Sequence, residues 1–150
     1  MVSVTEIAPS LNVCLALARA FASLTRRFDG RLGSFHGISF SDFALLLELS
    51  RVSGGRLRRV DLAGQLGLTA SAVTRALIPL EKVGLIKRES DPNDARVTYA
   101  ALTNAGRRVL EEAIETADMI SQEVLPDGAR QLNDLAKSLD RIAAAGVKPT

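Results

Sequence analysis

Residues 60–106 read VDLAGQLGLT ASAVTRALIP LEKVGLIKRE SDPNDARVTY AALTNAG, and this stretch decides the fold. Val60 to Leu66 has the spacing of a short helix, closed by Gly67 in a tight turn. Thr69 stands where an N-cap is needed for a second helix, from Ala70 to Val83, and Gly84 supplies its stop. Two helices joined by a short glycine-containing turn make a helix-turn-helix pattern, which many simple helical hairpins share. The next residues are more specific. Leu85 to Ser90 and Val97 to Leu102 alternate in strand fashion around Asp91-Pro92-Asn93-Asp94-Ala95, whose proline, asparagine and aspartates favour a turn. Helix, turn, helix, hairpin is the winged-helix order. Arg56 to Arg58 adds a short extended stretch just before it.

Working outward, Ser10 to Phe28 reads as an amphipathic helix. Leu11, Cys14, Leu15, Ala18, Phe21, Ala22 and Phe28 lie near helical spacing, with Arg19, Arg26 and Arg27 off the stripe. Gly30, Gly33 and Gly37 then predict a loop. Ser41 is the expected N-cap of the next helix, with Asp42 near its positive end. Leu45, Leu46, Leu47 and Leu49 make that helix apolar on nearly all sides, so it should be central and buried. Ser53-Gly54-Gly55 stops it. Thr103 caps a long helix reaching about Glu123, with Val109, Leu110, Ala113, Ile114, Ala117 and Ile120 on one side. Pro126 interrupts, and a last helix carries Leu132, Leu135, Leu139 and Ile142. The expected class is mainly α with a small β-hairpin wing (α+β), a winged helix-turn-helix with N- and C-terminal dimerisation helices.

That last expectation rests on the terminal stripes. Leu11, Leu15, Leu132, Leu135, Leu139 and Ile142 have no obvious partner in a winged unit of about 70 residues, and an unpartnered apolar stripe points to a subunit interface. Packing of the first helix against the last is the alternative. The whole chain, 1–150, reads as one domain, with 10–38 and 104–146 as the dimerisation helices and 40–103 as the winged part.

Composition narrows the function. The net charge is +2, but residues 51–96 hold nine Lys and Arg against five Asp and Glu, while the remainder holds ten against twelve. A basic middle between acidic ends suits a polyanion, and phosphate contacts supply the sequence-independent part of such binding. No apolar run approaches the ~20 residues that span a bilayer. Met1 to Pro9 carries Glu6 and no basic residue, unlike a secretory signal. A lone cysteine, Cys14, excludes an internal disulfide, and the cytoplasm is the simplest compartment. His36, the one histidine, is expected solvated in the glycine-rich loop; with a single cysteine it cannot assemble a zinc site. Catalytic triads, phosphate-cradling glycine loops and paired carboxylates are missing too, so neither an enzyme nor a cofactor is expected. Glu111, Glu112 and Glu115 read as a solvated helix face.

Asp94-x-Arg96, five residues, then Leu102-Thr103-x-x-Gly106 resembles the wing signature of the MarR family of bacterial transcriptional regulators. Leu66-Gly67-Leu68-Thr69, Val73-Thr74-Arg75 and Leu80-Glu81-Lys82-x-Gly84-Leu85-Ile86 resemble the recognition segment of the same family. These motifs cover about Leu62 to Gly106. The resemblance implies a homodimer with intertwined terminal helices, a winged unit at each lower corner, double-stranded DNA as partner, and often a small aromatic or phenolic effector between dimer helices and winged part. Two departures matter. Ala95 replaces an arginine that members commonly carry, and Pro79 falls inside the recognition helix, where it removes the bond to the Arg75 carbonyl and predicts a kink or a helix held by packing.

Candidate roles follow. Val73, Leu77 and Leu80 share an inward face, which leaves Ala70, Ser71, Thr74 and Arg75 outward, where the early residues of such a helix reach base edges. Arg75 suits guanine O6 and N7, or phosphate alone. By resemblance Asp94 orients Arg96 into the minor groove, where narrow A·T-rich stretches concentrate negative potential; a weak exposed ion pair is the alternative. Lys87, Arg88, Arg58, Arg59 and Thr69, the last at a positive helix end, are candidate phosphate contacts. Cys14 sits where one MarR subgroup senses organic hydroperoxides, but Ala18 lies one turn later and the sole tyrosine, Tyr99, is in the wing, so buried packing is expected. The competing readings are a winged-helix module for protein–protein assembly without DNA binding, a cysteine-based peroxide sensor, and the dimerisation part of an enzyme, for which these 150 residues leave no catalytic domain.

Overall fold

The computed structural model describes residues 6–125 and 128–146. Pro126, expected to interrupt the C-terminal helices, lies outside the described residues. The elements run α1 Pro9–His36, α2 Phe40–Arg51, β1 Arg56–Arg58, α3 Arg59–Leu66, α4 Ala70–Lys82, β2 Ile86–Ser90, β3 Thr98–Leu102, α5 Asn104–Val124 and α6 Ala129–Gly146. The hairpin and the short first strand combine into one antiparallel sheet in the order β1-β3-β2, with Tyr99 opposite both Arg58 and Glu89.

The first helix corrects the sequence reading. Gly30 and Gly33 do not open a loop; α1 runs through both to His36 and ends at Gly37, whose left-handed φ of 69° accepts the reversal. Two helical glycines cost about 1 kcal/mol each. Burial of Phe28 and Leu32 on the inner face outweighs that cost. The Phe28 ring stacks on Phe40 with centroids 4.1 Å apart, and the Asp29 carboxylate accepts from the Phe40 amide at 2.7 Å. These contacts tie the end of α1 to the start of α2. The cap of α2 is Ser39 rather than Ser41. Its hydroxyl accepts from the Asp42 amide while the Asp42 carboxylate accepts from the Ser39 amide, a reciprocal capping box that Ser41 has no acidic partner to form.

The core lies where α2 meets the winged elements and α5. Phe43, Leu45, Leu46 and Leu49 of α2 are buried against Leu62, Val73, Leu77, Leu80, Ile86, Leu110, Ala113 and Ile120. α1 packs on α5, and Arg31 clamps Glu123 with two 2.8 Å bonds from one guanidinium nitrogen. α6 buries nothing in the single chain, and Leu135, Leu139 and Ile142 face solvent while Leu132 is half-buried. The stripe of α1 is likewise bare over Leu11, Leu15 and Phe21. Cys14, expected buried on that stripe, is exposed, because nothing among the described residues covers this half of α1. His36 is not a loop residue either. It closes α1 half-buried, with its Nε2 2.8 Å from the buried Thr116 hydroxyl of α5.

Candidate nucleic-acid interface

The reading helix is set by its entry. Gly67 takes a left-handed φ of 65°, and the Leu68 amide turns back onto the Ala63 carbonyl at 2.9 Å. This reversal delivers Thr69, whose hydroxyl accepts from the Ala72 amide and starts α4. Val73, Leu77 and Leu80 are buried, as their spacing requires, and Ala70, Ser71 and Arg75 are exposed. Arg75 makes no side-chain hydrogen bond or ion pair among the described residues. Thr74 differs. It is half-buried, donates to the Ala70 carbonyl at 3.0 Å and accepts from Arg59 at 3.0 Å, so most of its hydrogen-bonding capacity is used inside the protein. Pro79 leaves α4 one continuous helix over Ala70–Lys82, with Leu77 and Leu80 buried on either side of it and the Val83 amide closing onto its carbonyl. Packing holds the helix where the missing donor weakens it.

Asp91 organises the tip of the wing. One of its carboxylate oxygens accepts from the Asn93 amide at 2.7 Å and the Asp94 amide at 3.3 Å, and the other accepts from the Tyr99 hydroxyl at 3.2 Å. The Arg56 guanidinium lies over the Tyr99 ring, 4.5 Å from its centroid, and pairs with Glu89. Those bonds, the Asn93 amide first, hold the Asp91 carboxyl below its ordinary value. Asp94 is also held low, chiefly by Arg96, which grips it through both the guanidinium and its own amide. Arg96 itself is 91% exposed, so the pair leaves the outer face of the guanidinium open.

The candidate phosphate ligands are all partnered. Arg58 pairs with Asp61, Lys87 with Glu89 and Arg88 with Glu81, at 3.0, 3.0 and 3.3 Å, while Arg59 holds Thr74. Lys87 in turn is the main reason the Glu89 carboxyl sits low. Exposed pairs of this kind contribute little to stability and exchange readily for a phosphate. Sequence reasoning did not find the Arg56–Tyr99–Asp91 cluster, the Arg59–Thr74 bond or the Arg31–Glu123 clamp, each of which joins side chains from different elements. The nearest signal was the position of Tyr99 within an otherwise small-residue strand.

Among the described residues no cluster of His, Cys, Asp and Glu is arranged to hold a metal. Among the same residues no helix is long and apolar enough to cross a membrane.

Known proteins agree with this architecture. The sequence pattern of the MarR family matches residues 38–98. A Bacillus subtilis HTH-type transcriptional regulator, YkoM, is 32% identical over 107 residues, which cover 71% of this chain and 68% of that protein. The transcriptional regulator BldR of Sulfolobus solfataricus superimposes with a TM-score of 0.80 at 30% identity, over 91% of this chain and 95% of its own. Sco3205, a MarR family transcriptional regulator of Streptomyces coelicolor solved in complex with DNA, gives 0.80 at 29% identity, over 97% and 91%. The chain therefore belongs to the MarR family of winged helix-turn-helix transcriptional regulators, which are DNA-binding proteins and not enzymes.

Proposed function

We propose that this regulator is a cytoplasmic repressor that binds a pseudo-palindromic operator as a homodimer and lets go when a small aromatic or phenolic effector binds. The observation that carries the reading is the face of α4 opposite the core, where Ser71 and Arg75, the latter without a side-chain partner among the described residues, are exposed beside a wing that ends in an exposed Arg96. In this reading α4 enters the major groove, with Ala70, Ser71 and Arg75 nearest the bases and Thr74 at the edge. Arg96, aimed by Asp94, lies in the flanking minor groove. Thr69, Arg58, Arg59, Lys87 and Arg88 face phosphates. Residues 10–38 and 104–146 form the dimer through Leu11, Leu15, Leu132, Leu135, Leu139 and Ile142, and residues 40–103 carry the DNA-binding part. An open cleft beside Leu24, Arg27, Glu123 and Leu125, between α1 and the end of α5, lies next to those helices and suits the effector.

Selection of bound sites from random DNA, at one fixed salt concentration, tests the roles separately. Reading helices about one helical turn, roughly 34 Å, apart select a two-fold site. Arg75→Ala is expected to lose about 1–3 kcal/mol and to relax preference at one symmetric pair of positions. Arg96→Ala loses the preference for A·T-rich flanks. Lys87→Ala weakens all sequences alike and flattens the salt dependence. Full wild-type affinity and base preference in Arg75→Ala would remove α4 as the reading helix.

A further inference from the structure

The outward face of α4 does not end at Arg75. Ser71, Arg75, Ile78 and Lys82 follow one another at helical intervals of four, three and four residues, so they form one stripe. Val73, Leu77 and Leu80, displaced from that stripe by two residues, form the buried face on the far side of the helix. Ile78 is therefore an apolar side chain, 55% exposed, in line with two polar residues and a lysine and turned away from the core. Single exposed apolar residues are ordinary on a protein surface. This one lies on the stripe that the proposed binding mode presses into the major groove, and Pro79 beside it, also exposed, adds a second apolar group.

Base edges in that groove offer donors and acceptors with one apolar group of note, the thymine 5-methyl. An isoleucine there has nothing to hydrogen-bond, and it strips water from any polar edge it covers without replacing the lost bonds. Against a thymine methyl it buries hydrocarbon on both sides. Thr74, the other side chain sequence alone would place on the reading face, is drawn inward by Arg59 and by its own bond to the Ala70 carbonyl.

We infer that Ile78 is a specificity-determining residue of this regulator, contacting the 5-methyl of a thymine in each half-site, with the guanine contact of Arg75 one helical turn toward the N-terminus. The inference rests on α4 being the reading helix. Burying one methyl at about 0.8 kcal/mol corresponds to roughly fourfold in affinity per half-site.

The test uses the full-length protein and its selected duplex, with thymines replaced in symmetric pairs by deoxyuridine, which removes only the methyl. One pair of positions is expected to weaken wild-type binding about fifteenfold over both half-sites, following the same methyl burial. Ile78→Ala is expected to bind the thymine duplex as weakly as wild type binds the uracil duplex, and to lose nothing further on uracil. Its preference at the Arg75-dependent position stays intact. The uracil series on the wild-type protein needs no variant to fold, so it decides the matter alone. Wild-type affinity unchanged at every thymine pair would overturn the role of Ile78. A site that depends on Arg75 but not on Ile78 overturns this inference only, whereas a protein that selects no sequence, with Arg75→Ala indistinguishable from wild type, overturns the reading helix as well.

Discussion

Gly106 and Gly30 are both helical glycines, and the structure assigns opposite signs to replacing them with alanine. A helix interior gains about 1 kcal/mol on Gly→Ala from backbone entropy and propensity. At Gly30 a Cβ meets nothing within 4 Å, so Gly30→Ala should keep most of that gain. At Gly106, in the first turn of α5, the same Cβ runs into the Leu85 carbonyl and comes within 2.9 Å of a Leu102 methyl. The Leu85 oxygen cannot retreat cheaply, because it accepts from the Thr103 amide at 3.1 Å and from the Thr103 hydroxyl at 3.0 Å. Overpacking costs about 1–3 kcal/mol, and two strained hydrogen bonds add about 1 kcal/mol each. Set against the propensity gain, Gly106→Ala should destabilise by about 2–4 kcal/mol, lowering Tm by roughly 5–15 °C for a chain of this size. Gly30→Ala should raise it by a few degrees. Circular-dichroism melts at one fixed protein concentration make the comparison, since the Tm of the proposed dimer would depend on concentration. A neutral or stabilising Gly106→Ala would show that the joint between α5 and the strand entry is looser than described.

Replacing Leu135 and Leu139 together by aspartate should give monomers or insoluble chain in sedimentation, because charge would be buried without a partner; soluble folded dimers would place the interface elsewhere. Asp94→Asn should leave the Tm essentially unchanged, as expected of an exposed pair, while selection on random DNA shows a weaker A·T-flank preference; an unchanged preference would mean that Asp94 does not aim Arg96. Asp91 and Asp94 both have folded values below the ordinary 3.8, so the order they confer is complete above that value and is lost as pH falls through their folded values. The Asn93 and Arg96 amide resonances should therefore hold steady at neutral pH and shift only in acid below the ordinary value, and movement near neutrality would contradict the assigned bonds. Organic hydroperoxide should release no DNA from either wild type or Cys14→Ser, and release from wild type alone would make Cys14 a sensor.

The winged part was legible because several local signals agree there. Val73, Leu77 and Leu80 give the period, Thr69 the cap, Gly67 and Gly84 the turns, and Asp91 to Asp94 the hairpin tip. α1 was misread because glycine was weighed as a breaker when its cost is about 1 kcal/mol, less than burying a single Leu32. The cap of α2 was decided by a residue three positions on, Asp42, and the spacing Ser39-x-x-Asp42 was visible in the sequence. The Arg56–Tyr99–Asp91 cluster was not visible. It depends on β1 joining β3 in a register that sets Arg58 opposite Tyr99, and nothing local to those three residues specifies that register. The exposed Cys14 and the half-buried His36 follow the same division. Whether a helix forms is local information; what covers its face is not.

That division also bears on how an effector near α1 and α5 can reach the DNA. α1 is fastened to α2 by the Asp29–Phe40 bond and the Phe28–Phe40 stack, and to α5 by the Arg31–Glu123 clamp and the His36–Thr116 contact. α2, whose Leu45, Leu46 and Leu49 are buried to 1% exposure or less, packs in turn against α3 and α4. A core so closely packed transmits displacement instead of absorbing it. In the proposed homodimer the winged unit would then move with the α1–α5 pair, and a ligand wedged between those helices would alter the spacing of the two reading helices before it altered either helix itself. Spacing is what a two-fold operator measures, since each half-site must meet its helix about one DNA turn from the other. An effector of this kind needs no contact with α4 or the wing; it has only to favour one separation of the two α1–α5 pairs over another.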